Sequence, residues 1–151
     1  MDASRHLSNP ARPLLTADLH VVLQRSEAVL LGLRQNTGYC DGLYHLPSGR
    51  LEMNETFWAA AAREAEEELG VRLSPETTEL VHVMHHRSNS DRIGLFFQSA
   101  HWIGEIENQE PEKCAGWSWH ELDHLPANIV PYARAALVNI RAGNILSFYG
   151  W

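Results

Sequence analysis

The chain has only two cysteines, Cys40 and Cys114, in 151 residues. Two are too few for a disulfide framework, and a reducing compartment is the simplest expectation. Cations are also scarce: Lys and Arg number 12 against 19 Asp and Glu, a net charge of -7. Proteins that grip a nucleic-acid duplex need clustered cations, so that class is disfavoured. Small phosphorylated substrates remain open, because they need only a few cations or bound metals. No apolar run approaches the ~18 residues of a membrane span. Residues 1–13 lack the apolar centre of a secretory signal and are expected to form a loose leader. No internal repeat, low-complexity tract or interdomain linker interrupts the rest. A single domain over residues 14–151, in the cytoplasm, is the expectation.

What is present is a mixed pattern of strands and helices. Thr16–Gln24 and Ala28–Arg34 are rich in Val and Leu and are predicted strands around an Arg25-Ser26-Glu27 turn. Gln35–Gly42 carries Asn36, Gly38, Asp41 and Gly42, a loop composition. Ser48-Gly49 reads as another turn. Glu55–Leu69 is alanine-rich with no internal Gly or Pro, a predicted helix with Asn54 as N-cap and Gly70 as stop. Glu79–His86 and Ile93–Trp102 are a predicted strand pair about a Ser88–Asp91 turn, and Trp117–Trp119 a short strand. Pro131–Arg141 is a second predicted helix, with Pro in its first turn and Gly143 beyond its end. Strands before, between and after two helices define an α/β domain.

The first helix carries the chemistry. At about 100° per residue, Trp58, Ala62, Ala65 and Leu69 form one stripe, expected to face the core. Glu64, Glu67 and Glu68 fall together on roughly the opposite side, and Arg63 can pair with Glu67. Three carboxylates so close repel one another, at about 0.2–0.5 kcal/mol per exposed pair. A hard divalent cation, which takes oxygen ligands, would offset that repulsion.

From Gly49 the chain reads Gly49, five residues, Glu55, seven residues, then Arg63-Glu64-Ala65-Glu66-Glu67-Glu68-Leu69-Gly70-Val71. This resembles the Nudix box, G-x5-E-x7-R-E-U-x-E-E-x-G-U with U aliphatic, at every fixed position. The resemblance implies a Nudix fold, an α/β/α sandwich with a mixed β-sheet. It implies Mg²⁺- or Mn²⁺-dependent hydrolysis of a nucleoside diphosphate linked to another group. By that likeness Glu64, Glu67 and Glu68 are metal-ligand candidates, Arg63 holds the glutamates, Glu55 fixes the loop and Gly49 permits a tight turn. The backbone carbonyl of Ser48 is a further candidate ligand.

A second stretch, Asn108-Gln109-Glu110-Pro111-Glu112-Lys113-Cys114 with Trp117-Ser118-Trp119, resembles the nucleotide diphosphatases of the Nudix type 15 branch. It nominates Glu110 as an extra ligand or base, with Glu112 a weaker rival. Subfamily markers for ADP-ribose and dinucleoside polyphosphates are absent from His85-His86-Arg87-Ser88. Val130-Pro131-Tyr132-Ala133 stands where the oxidised-purine branch has paired aspartates.

The expected reaction is a nucleoside triphosphate, or a related nucleoside diphosphate derivative, giving NMP and pyrophosphate. A carboxylate of Glu64, Glu67 or Glu110 would take the proton of the attacking water or orient it. Arg34 and Arg50 are candidate phosphate contacts. Tyr44, Phe97, Trp117, Trp119 and Ile129–Tyr132 are candidates to hold the base. The alternatives are a nucleotide-sugar or other diphosphate hydrolase and, in another class, a catalytically silent nucleotide sensor. His82 and His86 share one strand face and His85 the other, so they do not converge on one metal. The tail Phe148-Tyr149-Gly150-Trp151 is apolar, with three alternatives open: packing on the domain, capping a homodimer interface, or disorder.

Overall fold

A computed structural model describes residues 11–151; the first ten residues of the expected leader lie outside the described part. The strands are β1 (Thr16–Arg25), β2 (Ala28–Arg34), β3 (Tyr44–His45), β4 (Ser48–Arg50), β5 (Thr78–Arg87), β6 (Asp91–Ser99), β7 (Cys114–Glu121) and β8 (Leu146–Tyr149). The helices are α1 (Phe57–Leu69) and α2 (Pro131–Arg141). The sheet is mixed, in the order β3-β2-β1-β6-β5-β8, with β4 also on β1 and β7 on β2. β1 runs parallel to β6, and β5 parallel to β8; β1–β2, β1–β4, β2–β7 and β5–β6 are antiparallel.

Alternation along β1 assigns a helix to each face. Leu19, Val21 and Leu23 pack with Ala60, Ala61, Ala65 and Leu69 of α1. Val22 packs on the other side with Tyr132, Ala133, Ala136 and Leu137 of α2. A period of two along a strand sends successive side chains to opposite faces. The alanines of α1 let that helix lie close to the sheet.

Several local expectations shift. Helix α1 begins later than expected, with Thr56 as its cap: the Thr56 hydroxyl accepts from Ala59 N–H at 3.1 Å. Asn54 is instead left-handed, with φ 65°. Gly70 ends the helix at φ 70°, as expected of a C-terminal glycine. Ser48-Gly49 is not a turn but part of β4, paired with β1 through Leu19↔Gly49 and His20↔Ser48. β7 runs well beyond Trp117–Trp119 at both ends. The C-terminal aromatics join the sheet: Phe148 pairs with His85 and Tyr149 with His86 as β8 adds to β5. His82 and His86 do share the α2 face, and both are fully buried. His82 is held by the Asn144 carbonyl (2.7 Å) and the Ser147 hydroxyl (2.8 Å), which makes it structural.

Candidate active site

Arg63 organises the start of the site. Its guanidinium donates Nε–H to Glu55 Oε2 (3.0 Å) and Nη2–H to Glu55 Oε1 (2.7 Å), a two-pronged pair. The same group reaches the Arg50 carbonyl (3.0 Å), Glu64 Oε1 (2.6 Å) and Glu67 Oε2 (3.4 Å). Glu55 also accepts the Glu52 backbone N–H at 2.7 Å. One arginine thus ties the loop before α1, the end of β4 and two glutamates of α1 together. Hydrogen bonds from Arg63 hold the Glu55 carboxyl below its ordinary range.

Glu64 departs from the expected helix wheel. It is 7% exposed, on the inner side of α1, while Trp58 and Ala62 of the expected stripe are only half-buried. The buried face of α1 is Ala60, Ala61, Glu64, Ala65 and Leu69. The reason lies across the gap in β4. A Cβ on Gly49 would sit 1.8 Å from Glu64 Oε1. Gly49 is therefore required for close approach of the carboxylate, not for a tight turn; its φ is not positive.

Glu68 lies beside Glu64 and accepts the Ser48 backbone N–H at 3.1 Å. Burial, then the charge of Glu64, push the Glu68 carboxyl well above its ordinary range. Burial also raises Glu64, against the opposing pull of Arg63. Glu67 is the open member, with its side chain 54% exposed.

Glu110 is brought to this group by a pinned loop. Glu107 N–H donates to Leu69 O (3.0 Å) and Gln109 N–H to Glu68 O (3.2 Å), so the loop ties to the last carbonyls of α1. Asn108 spans it, donating to Cys114 O at 2.7 Å and accepting Glu110 N–H at 3.3 Å. Gln35 and Asn36 close it from the far side, through the carbonyls of Pro111, Glu112 and Lys113. Lys113 Nζ stands 3.8 Å from Glu110.

These side chains share one cleft of about 810 Å³. Glu64, Glu67, Glu68, Glu110 and Ser48 line it, and so do Arg34, Arg50, Arg63, Lys113 and Trp117. Its donors are hard oxygens, the type that suits Mg²⁺ or Mn²⁺. Two of the carboxylates are driven toward their neutral forms by burial and mutual repulsion, and a cation would reverse both effects. As they stand, no three acidic, histidine or cysteine groups among the described residues are gathered tightly enough to enclose an ion. Glu64 is committed to Arg63 and Glu68 to Ser48. A cation held here would complete its shell with substrate or water oxygens, a habit of Mg²⁺.

A smaller chamber of about 350 Å³ adjoins the cleft and shares Arg34, Thr37, His45, Ser48 and Arg50 with it. Asp18, His20, Tyr39, Arg92 and Tyr132 line the rest of what matters here. Asp18 and Arg92 form a two-pronged pair at 2.6 and 2.7 Å. His45 Nε2 and the Tyr132 hydroxyl are 2.6 Å apart.

The base-holding candidates divide. Tyr132 lines the chamber, and Trp117 the cleft with its ring against Gly32. Tyr44 and Trp119 line neither. Tyr44 points away to an edge contact with His120, ring centroids 4.7 Å apart. Trp119 sits farther along β7, under Arg25 at 4.4 Å and stacked on Trp102. Asp18, His20, His45 and Arg92 escaped the sequence reading. Their only trace was two polar residues, Asp18 and His20, on the same face in the middle of β1.

A family model, the NUDIX domain, matches residues 13–139. The chain belongs to the Nudix family, and it is a hydrolase of this kind, whose members act on nucleoside diphosphate derivatives. Among its relatives, the RNA pyrophosphohydrolase of Erythrobacter litoralis is 27% identical over 76% of this chain and 80% of that protein. The human 8-oxo-dGDP phosphatase NUDT18 is 41% identical over 39% of this chain, a match that spans 18% of the human protein. The crystal structure of a MutT Nudix hydrolase from Burkholderia pseudomallei superposes with a TM-score of 0.75 at 26% identity, covering 83% of this chain and 97% of that one. A Nudix hydrolase from Nitrosomonas europaea, at 18% identity and TM-score 0.73, shares the fold over 88% of this chain and 93% of its own.

Proposed function

We propose that this enzyme hydrolyses a nucleoside triphosphate, or a closely related nucleoside diphosphate derivative, to NMP and pyrophosphate with Mg²⁺ or Mn²⁺. The observation that carries the reading is the cleft itself: four glutamates from α1 and the 108–114 loop share it with Arg34, Arg50 and Lys113. Anionic phosphates need both sets, cationic side chains for their oxygens and carboxylates for a bridging cation. Glu64, Glu67 and Glu68, with the Ser48 carbonyl, would hold the cation. When bound, it supplies charge neutralisation on the phosphate oxygens and a lowered pKa for water.

The chain's own residues do the rest. Arg63 and Glu55 fix the loop and the glutamates in one rigid unit, which Gly49 lets close and Gly70 ends. Arg34 and Arg50 orient the phosphates at the junction of cleft and chamber. Glu64, Glu67 or Glu110 takes the proton of the attacking water. The nucleoside enters the chamber beside Tyr132, since that space opens directly from the phosphate end. The Asn108–Trp119 stretch supports a place near the type 15 branch. Free Cys40 and Cys114 support a cytoplasmic setting for the single domain of residues 14–151. Exposed Leu146 and Phe148 on the edge strand β8 support a homodimer.

The test is pyrophosphate and phosphate release from a panel of nucleoside triphosphates, nucleotide sugars, ADP-ribose and dinucleoside polyphosphates, with Mg²⁺ and with chelator. Metal-dependent pyrophosphate release from triphosphates is expected. Turnover confined to nucleotide sugars, or none by the folded protein, would overturn the reading.

A further inference from the structure

Arg34 stands where cleft and chamber meet, and it is held by the loop that follows it. Its Nε–H donates to the Tyr39 carbonyl (2.8 Å) and its Nη2–H to the Thr37 hydroxyl (3.0 Å). The guanidinium carbon lies 5.5 Å from the centre of the Tyr39 ring. A guanidinium carries five N–H donors, and the other side-chain donors of Arg34 have no partner among the described residues. An arginine at a strand end has many rotamers; two bonds to one loop fix its planar fork in a single orientation.

The Thr37 hydroxyl has one proton and two lone pairs. Asp41 Oδ1 stands 2.5 Å from it, and the Tyr39 carbonyl 3.0 Å. The nearer, charged acceptor takes the proton. The lone pairs are then left for Arg34 Nη2–H and for the Tyr39 N–H at 3.2 Å, and the Tyr39 carbonyl is left for Arg34 Nε–H. Without the Asp41 charge the hydroxyl proton turns to the Tyr39 carbonyl and competes with Arg34 there.

Asp41 also accepts the backbone N–H groups of Thr37 (3.1 Å) and Gly38 (2.9 Å). These bonds close a loop whose backbone is left-handed at Asn36 and Cys40, with φ 55° and 51°, a costly conformation for residues other than glycine. Hydrogen bonds from Thr37 and Gly38 hold the Asp41 carboxyl below its ordinary range, so it is ionised at neutral pH. Asp41 itself lines neither cavity. A carboxylate outside the cleft thus sets a cation on its wall, through one hydroxyl.

We propose that Asp41 and Thr37 are positioning residues for phosphate binding: the Asp41 carboxylate orients the Thr37 hydroxyl, and that hydroxyl fixes the Arg34 guanidinium for the phosphates. The inference rests on the reading of Arg34 as a phosphate contact, and deepens it.

The experiment is a double-mutant cycle. It reads kcat/KM, with Mg²⁺, for whichever of ATP, GTP, CTP and UTP is turned over fastest. It also reads Kd for the α,β-methylene analogue of that nucleotide, which resists hydrolysis. Thr37→Val removes the hydroxyl at nearly constant shape, and is expected to lower kcat/KM and raise Kd by about tenfold. Asp41→Asn is expected to change both in the same sense by at least about threefold, and Thr37→Ser, which keeps the hydroxyl, to recover most of the Thr37→Val loss. In an Arg34→Met background neither Thr37→Val nor Asp41→Asn is expected to change either quantity by more than about twofold, because the group they position is gone. Circular dichroism confirms that each variant is folded. Equal losses with and without Arg34 would give Thr37 and Asp41 a direct or general structural role and overturn the inference. So would a folded Thr37→Val with both quantities unaltered. An Arg34→Met enzyme that binds and turns over like wild type removes Arg34 as a phosphate contact and overturns this inference, while metal-dependent hydrolysis stands. Absence of turnover with every triphosphate overturns the parent reading and this one with it.

Discussion

Cleft and chamber touch along Arg34, His45, Ser48 and Arg50, yet burial acts on them in opposite senses. In the cleft it acts on carboxylates packed with one another, and raises Glu64 and Glu68. In the chamber it acts on imidazoles, and lowers His20 and His45. Both regions are pushed toward neutrality, because low dielectric disfavours whichever form is charged. The cleft has an outlet that the chamber lacks: a cation can restore its charge. In the chamber the imidazoles stay neutral, beside the Asp18–Arg92 pair. Cleft and chamber are thus separated by a few residues and by the sign of the ionisable group.

The largest effect that could break this comparison is on turnover. Glu67→Gln keeps shape and removes one ligand charge, so kcat should fall by roughly 10²–10³-fold with the fold intact. Near-normal kinetics in a folded variant would remove Glu67 from the cation site. Gly49→Ala comes next. Its methyl group would overlap the Glu64 carboxylate and push it from its place beside Arg63, a cost of about 1–3 kcal/mol from overpacking. Urea unfolding should show that loss together with a collapse of activity; an unperturbed, active Gly49→Ala would refute the close-approach role.

The acid response separates the two regions by sign. His20 has a folded pKa of about 3, below its unfolded value of about 6.5. The unfolded chain therefore binds more protons between those values, and stability is lost as pH falls through that window. Glu64 and Glu68 are raised, so without a cation their contribution is present at low pH and lost as pH rises through the folded values. Added Mg²⁺ should therefore raise the melting temperature more at pH 8 than at pH 5. His20→Gln should flatten the acid side of the profile. Equal Mg²⁺ shifts at both pH values would contradict the cleft half of the account.

The smallest effect concerns the start of α1. Thr56→Ala should cost about 1 kcal/mol through the lost cap, and Asn54→Ala should show no such capping loss. An unchanged melting temperature for Thr56→Ala would remove Thr56 as the cap.

The same contrast governs how much could be read from the chain. Three of the cleft's glutamates lie within one turn and a half of α1, and Arg63 is adjacent, so a local pattern displays them; Glu110 shows through the separate Asn108–Cys114 stretch. Even there the wheel misplaced Glu64, because its burial depends on Gly49 in another element. Thr56 was passed over for Asn54, since both are good caps and only the backbone dihedral at Asn54 decides against it. The chamber was legible only in part, through Tyr132 and the two arginines it shares with the cleft. Its parts come from β1, β3, β6 and the first turn of α2, brought together by the parallel β1–β6 pairing and by α2 crossing the sheet. No spacing rule links Asp18 to Arg92 or His45 to Tyr132. Tyr44 and Trp119 were reasonable candidates by composition, and lost their place because strand direction carries them away from both cavities.

The most direct single measurement is pyrophosphate release from a nucleoside triphosphate as Mg²⁺ is titrated, with wild type and Glu68→Gln side by side. The account predicts saturable Mg²⁺ dependence in wild type, abolished by chelator, and a variant that stays folded but turns over at least about tenfold more slowly or needs far more Mg²⁺. Metal-independent turnover, or matching Mg²⁺ curves for the two proteins, would contradict it.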